Sequence, residues 1–314
     1  MRVLVTGAAG FLGSHVVRRC VRAGCEVAAL VREGSDLARI IDIADRVTLI
    51  EADLRSGRTP EAIAAARPDV CIHAAWYVAP GRYPQAIENL DSVAASAALL
   101  RALASTECRR IVFVGSCLEY APSSGCVDEA SPVGPRTLYG GCKLAVSVML
   151  EQLAREKGRS AATARLFNLY GPHEAVGRLV PAVIHALRDG RACALTSGTQ
   201  TRDFLHIADA ADGVWTVAES GLEGAVNVAS GTPATVADLA RELARQLGRP
   251  DLLQLGARPL PPDEPDWLCA KPGRLHKTGW APRYDLARGL EQTIEWWRQR
   301  RDAGPVSALS QRPD

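Results

Sequence analysis

Met1-Arg2-Val3-Leu4-Val5-Thr6-Gly7-Ala8-Ala9-Gly10-Phe11-Leu12-Gly13 is the stretch on which the reading of this 314-residue chain turns. Val3, Leu4 and Val5 form a short apolar run of the kind that makes a buried strand. Gly7, Gly10 and Gly13 follow, and glycine permits a tight turn and a close backbone approach. Val16, Val17, Cys20 and Val21 then recur at helical spacing. Strand, glycine turn and helix in that order bring backbone N–H groups to a helix N-terminus, where a pyrophosphate is received. The spacing is Gly-x-x-Gly-x-x-Gly, one residue wider than the commonest dinucleotide fingerprint.

Beyond this stretch the first half of the chain alternates. Residues 27–31, 47–50, 70–72 and 111–114 read as strands, and 60–66, 86–105 and 139–157 as helices. Such alternation implies an α/β fold, a doubly wound parallel sheet with right-handed crossovers, whose ligands bind at the carboxyl ends of the strands. Gly7, Arg32, Asp53, His73-Ala74 and Ser116 all fall at such ends. A sixth strand is expected at 165–168 and another at 225–228, with helices at 236–247 and 286–301. The expected division is a dinucleotide-binding unit over 1–175, joined again by 200–230. A smaller C-terminal substrate-binding lobe over 176–302 and a flexible tail over 303–314 complete it.

Composition excludes some classes. Hydrophobic content of 47% and charged content of 23% are ordinary for a globular protein, and a net charge of +2 argues for neither a nucleic-acid nor a membrane partner. No apolar run reaches the roughly 20 residues that span a bilayer. The N-terminal run is broken by glycines and reads as strand and turn rather than signal peptide, so a cytoplasmic location is expected. The nine cysteines form no Cys-x-x-Cys pair and have no His at ligand spacing, so no metal is expected. Their odd number, in a chain of that compartment, favours free and mostly buried thiols.

Tyr139-Gly140-Gly141-Cys142-Lys143 opens a helix and places Tyr139 and Lys143 one turn apart on one face. A neighbouring ammonium stabilises tyrosinate, as would an oxidised nicotinamide nearby, so together they are expected to lower the Tyr139 pKa from about 10 toward the working pH. A tyrosine so tuned exchanges a proton with a carbinol oxygen while hydride moves to or from a nicotinamide.

At this point the chain resembles the extended short-chain dehydrogenase/reductase family, the nucleotide-sugar epimerases, dehydratases and reductases, over roughly residues 1–300. The resemblance rests on Thr6 to Gly13, Asp53-Leu54, His73-Ala74-Ala75, Gly115-Ser116 ahead of Tyr120, and Tyr139-x-x-x-Lys143. It continues through Arg165 to Pro172, Arg202-Asp203-Phe204-Leu205-His206, and Asn227 to Gly231. It implies a Rossmann sheet, a bound NAD or NADP, and a nucleotide-diphosphate sugar as substrate. Tyr139 is then the acid/base, Lys143 its electrostatic partner on the nicotinamide ribose, and Ser116 a hydroxyl on the reacting oxygen. Gly7, Gly10, Phe11, Leu12 and Gly13 would cradle the dinucleotide, Asp53 and Leu54 its adenine, and Ala74 and Ala75 would pass beneath it. Asn168 and Arg202 match positions that meet the diphosphate region of the substrate. The helices over 86–105 and 139–157 imply a homodimer.

Departures from the family pattern narrow the reaction. Sugar 4,6-dehydratases carry Asp-Glu directly after the catalytic hydroxyl residue, where this chain has Cys117-Leu118. The enzymes that epimerise and reduce GDP-sugars place a Cys where this chain has Leu118 and a His where it has Arg178. What remains is hydride and proton transfer at one carbon. Arg32 ends the second strand, where an acidic residue would bind the ribose of NAD; an Arg there suits the 2′-phosphate of NADP. The expectation is a 4-ketoreductase. A 4-epimerase with tightly held NAD and a non-catalytic dinucleotide sensor are the alternatives.

Overall fold

Val3, Leu4 and Val5 are completely buried, and their alternation sends Val3 and Val5 into the core on one face of the sheet and Leu4 into the core on the other. A strand apolar on both sides belongs in the middle of a parallel sheet, and β1 (Arg2–Thr6) lies there in the computed structural model, which describes residues 1–56, 59–261 and 264–302. The central sheet also contains β2 (Glu26–Val31), β3 (Thr48–Glu51), β4 (Val70–His73), β5 (Arg110–Ser116) and β6 (Ser160–Leu166). After β7 (Asn168–Tyr170), β8 (Cys193–Ala194) and β9 (Thr201–His206), it is completed by β10 (Gly224–Val228). All its pairings are parallel, in the order β10-β6-β5-β4-β1-β2-β3. The doubly wound sheet expected from the alternation is therefore present. The order reverses between β1 and β4, which opens a crevice above their carboxyl ends.

Helices α1 (Phe11–Arg22), α2 (Thr59–Ala66), α3 (Glu88–Ala104) and α4 (Leu138–Glu156) cross between these strands. After α5 (Leu179–Arg188), α6 (Ile207–Glu219) packs beside α1 on one face, through Val214 and Val217 near Val16 and Val17. Leu99 and Leu103 of α3 meet Val146 and Leu150 of α4 on the other. A separate core joins Val183, Ile184 and Leu187 of α5 to Leu239 and Leu243 of α7 (Val236–Gln246) and Leu290 and Ile294 of α8 (Leu286–Asp302). Beside it, β9 pairs antiparallel with β11 (Pro233–Thr235) and parallel with β7; a two-residue β12 (Leu253–Gln254) pairs with β8, and β13 (Trp267–Leu268) runs parallel to β9.

Two expectations change. The strand expected at 165–168 is two: β6 begins at Ser160 and stops at Leu166, and β7 starts at Asn168 in a different sheet. Seven cysteines are free, but Cys126 and Cys269 form a disulfide. Their separation of 143 residues is bridged where Val127 donates its N–H to the Cys269 carbonyl at 2.8 Å and accepts one from Lys271 at 2.8 Å, a proximity that spacing along the chain does not reveal. The tail expected at 303–314 lies outside the described residues. Among the described residues no helix is long and apolar enough to cross a membrane, and no cluster of His, Cys, Asp and Glu gathers to hold a metal ion.

Candidate active site

The glycine turn packs directly on the end of β4. Gly7 has φ +66°, and a Cβ there would lie 2.8 Å from the Ala75 backbone, so the turn rests against Ala74-Ala75. Thr6 secures this contact: its hydroxyl bonds His73 Nδ1 at 2.7 Å and accepts the Ala75 N–H at 3.2 Å. Helix α1 starts from Gly10, which offers no capping side chain, and its first turn holds no acidic residue. The N–H groups of Phe11, Leu12 and Gly13 thus have no acceptor within the helix. A cradle that excludes side chains and presents bare amides fits a dinucleotide pyrophosphate.

The adenosine end is more open. Arg32 is exposed and, among the described residues, joins no ion pair. Asp53 is engaged by Arg55 at 2.8 Å, which holds its carboxyl below the usual range, while Leu54 is buried beside it. Arg39 reaches the glycine turn from the loop after β2, bonding the Ala9 carbonyl at 3.5 Å and the His173 carbonyl at 3.1 Å.

At the centre, β5 delivers Ser116 and the first turn of α4 delivers Tyr139, with Thr137 capping that turn through the Gly140 N–H at 3.0 Å. The Ser116 hydroxyl stands by the Tyr139 phenol and favours its ionised form. Lys143, one turn on, donates to the Val114 carbonyl at 2.8 Å and lies 3.9 Å from the Trp76 ring centre, 4.7 Å from Phe113 and 5.7 Å from Tyr139. Burial lowers the Lys143 pKa to about 7. Burial also holds the Tyr139 phenol above its ordinary value, with Tyr83 adding to the effect. The expected depression of Tyr139 by Lys143 is therefore absent from the chain itself, where the ammonium turns toward a carbonyl and two rings.

Cys117 follows Ser116 as a buried thiol, its pKa pushed up to about 12 by desolvation. Asn168, on β7, has a buried Oδ1 without a hydrogen-bond partner among the described residues. Arg202, on β9, is 4% exposed; it donates to the Thr201 carbonyl at 2.9 Å and pairs with Glu264. Its guanidinium is thus held by a carboxylate at the position assigned to the substrate diphosphate.

Four more residues surround the centre, of which the sequence marked Trp76 as a candidate for the cleft or for loop packing and Arg178 as a departure from the family pattern, but not Tyr83 or Glu119. Trp76 underlies Lys143, Tyr83 stands edge-on to Tyr139 at 4.8 Å, and the Arg178 guanidinium lies 5.1 Å from the Tyr83 ring centre. Glu119 lies fully buried behind Ser116. Tyr83 sits on a connecting loop with no periodicity; the one signal for Glu119 was an acidic residue inside a buried stretch after a strand.

The sequence profile of the NAD dependent epimerase/dehydratase family matches residues 3–229. The chain is 30% identical to the dTDP-4-dehydro-6-deoxy-D-allose reductase of Streptomyces bikiniensis, over 94% of this chain and 96% of that one. It is 27% identical to a UDP-glucose 4-epimerase of Azospirillum brasilense, over 95% and 92%. Its fold superposes with a TM-score of 0.82 on a dTDP-glucose 4,6-dehydratase of Streptomyces venezuelae solved with NAD bound, at 25% identity, covering 96% of this chain and 98% of that one. A profile match across most of the chain and a glycine cradle shaped for a dinucleotide lead to one conclusion: this protein belongs to the NAD-dependent epimerase/dehydratase family of nucleotide-sugar enzymes.

Proposed function

We propose that this enzyme is a 4-ketoreductase that uses NADPH and acts on a nucleotide-diphosphate sugar. The observation that carries the reading is the meeting of Tyr139, Ser116 and Lys143 beside a residue pair without acid/base capacity. Cys117 is a thiol held protonated by burial and Leu118 has nothing to titrate, so eliminating water across two carbons lacks its acid and base. Proton and hydride transfer at one carbon needs only the three that are present.

A reduced nicotinamide, when bound, supplies hydride to the keto carbon. Tyr139 then gives its phenolic proton to the carbonyl oxygen, and Ser116, beside Tyr139, donates to the same oxygen. Lys143 stabilises the tyrosinate left behind. Residues 176–302 supply the substrate lobe, and the unpartnered Oδ1 of Asn168, on β7, supports a ligand donor at that position. In this reading Arg202 leaves Glu264 to meet the diphosphate.

The reductase reading is tested with a panel of 4-keto sugar nucleotides, following loss of reduced-nicotinamide absorbance and the product mass. Protein that purifies with non-exchanging NAD and interconverts 4-epimers replaces this reading with the epimerase. Normal dinucleotide binding without turnover on any sugar nucleotide replaces it with the sensor. The unpaired, exposed Arg32 supports NADP over NAD. A charge-assisted bond to a phosphate contributes about 2 kcal/mol, so Arg32→Ser is expected to raise the KM for NADPH by about thirtyfold and leave that for NADH unchanged. Equal effects on both would assign Arg32 no part in cofactor choice.

A homodimer is part of the same proposal. Ile87 and Leu90 at the start of α3 and Val148 on α4 are exposed at 67%, 50% and 49%, on two helices that pack together. Sedimentation at micromolar concentration is expected to give a dimer, and Leu90→Asp with Val148→Asp a monomer. A wild-type monomer would remove these helices from any interface.

A further inference from the structure

Glu119 is a fully buried carboxylate in the 3₁₀ turn directly after β5. One oxygen accepts the Ser116 backbone N–H at 2.8 Å, and the other accepts Arg165 Nε from β6 at 2.8 Å. Arg165 lies 4.5 Å from the centre of the Tyr120 ring, and the Tyr120 hydroxyl donates to Asn227 Oδ1 on β10 at 2.7 Å. One network therefore ties β5, β6 and β10 together beneath the catalytic hydroxyl. The strand is shaped around it: a Cβ on Gly115 would come within 2.5 Å of Glu119 Oε1.

An ion pair taken wholly out of water is a poor stabilising device, because apolar residues of the same volume serve as well or better. Its position suggests another use. Glu119 bonds the Ser116 N–H and Lys143 the Val114 carbonyl, two residues apart on β5, and the negative charge of Glu119 favours the ammonium against the cost of burial. It also interacts electrostatically with Tyr139.

We propose that Glu119 is a positioning residue of the reaction centre: clamped by Arg165, its carboxylate fixes Ser116 through the backbone and supplies a counter-charge that favours the ammonium of Lys143. The catalytic meaning of this inference rests on the Ser116, Tyr139 and Lys143 assignment above; its electrostatic content does not. Other titratable groups face the pair. Tyr139 on α4 and Tyr120 beyond the turn stay protonated near neutrality, since burial raises both, and Cys117 is pushed up to about 12. His73 on β4, bonded on both ring nitrogens, is lowered to about 3 and stays neutral. Arg165 on β6 is held charged by Glu119. Burial raises the Glu119 carboxyl, while Arg165 and the Ser116 N–H favour its ionised form, and Lys143 is the group lowered to about 7.

The test is a pH titration of lysine labelled with ¹³C at Cε and read by NMR, the Lys143 signal being identified by its absence from Lys143→Met. In the wild type its midpoint is expected near the value of about 7 that burial sets. Removing a negative charge disfavours the ammonium, so Glu119→Gln moves the midpoint about one pH unit toward acid. If an unpaired Arg165 prevents that variant from folding, Glu119→Gln/Arg165→Gln decides, with a shift in the same direction. At about pH 8 the folded variant loses about tenfold in kcat on a keto sugar nucleotide, with KM unchanged. An unmoved Lys143 midpoint in either folded variant overturns the proposal. Absence of turnover in the wild type would refute the substrate reading and leave the lysine titration to stand or fall alone.

Discussion

Tyr139→Phe retains dinucleotide binding and loses about 10²–10⁴-fold in kcat, the range that a positioned general acid contributes. The substitution removes one oxygen and keeps the ring, so the edge-on contacts with Tyr83 at 4.8 Å and Trp76 at 6.3 Å persist. The Ser116 hydroxyl keeps its bond from the Leu118 N–H at 3.2 Å and remains anchored at the end of β5. Lys143 also keeps its Val114 carbonyl and aromatic neighbours. The variant should therefore melt within a few degrees of the wild type and bind dinucleotide as tightly. The loss should appear in kcat and kcat/KM alike, because the proton is transferred only in the transition state. Turnover matching the wild type would mean that the proton comes from elsewhere.

Ser116 is the control for that result. Ser116→Ala leaves the acid in place and removes one hydrogen bond to the reacting oxygen, so its cost should be smaller than that of Tyr139→Phe. The two losses should not add, since the two hydroxyls act on one atom.

Much of this was readable beforehand, for specific reasons. β1, β2, β4 and β5 are dense in Val, Ile and Leu because both of their faces are covered, and such runs announce themselves. The glycine turn was readable because backbone contact with Ala75 excludes any side chain at Gly7. β6 was misplaced because Ser160-Ala161-Ala162-Thr163-Ala164 carries little hydrophobic signal, although it is paired on both sides, by β5 and β10. β9 was missed because Arg202, Asp203 and His206 look like surface residues. They are buried only because long-range partners satisfy them: Glu264 for Arg202, the Ser230 and Gly231 N–H groups for Asp203, and Gln292 for His206. The share of Lys143 in tuning Tyr139 was overestimated for a related reason. Helical spacing places Lys143 on the right face, but burial then acts on both groups and the ammonium points to Val114.

Gly13→Ala tests the opening motif where it is tightest. In an ordinary helix the change from Gly to Ala stabilises by about 1 kcal/mol. Here a Cβ would stand 2.0 Å from the Gly7 carbonyl oxygen and 2.8 Å from its carbon. Both are backbone atoms of a turn already pressed on Ala75, so neither can step aside as a side chain would. The relief available is for α1 to lift away from β1, and that pulls Val16, Val17 and Cys20 out of a core they share with α6. Overpacking of this kind costs about 1–3 kcal/mol, enough to cancel the helix gain and lower the melting temperature by several degrees. The larger effect should fall on the ligand. The amides of Phe11 and Leu12 aim at a pyrophosphate only while α1 sits in contact with the turn, so dinucleotide affinity should drop by more than about tenfold. Gly141 provides the contrast: in the first turn of α4 it would meet nothing nearer than Pro135 Cγ at 4.0 Å, and Gly141→Ala should raise the melting temperature. Calorimetric titration with NADPH and NAD reads the difference directly. A Gly13→Ala protein that keeps both its melting temperature and its dinucleotide affinity would show that the close approach of α1 to the turn is not what forms the cradle.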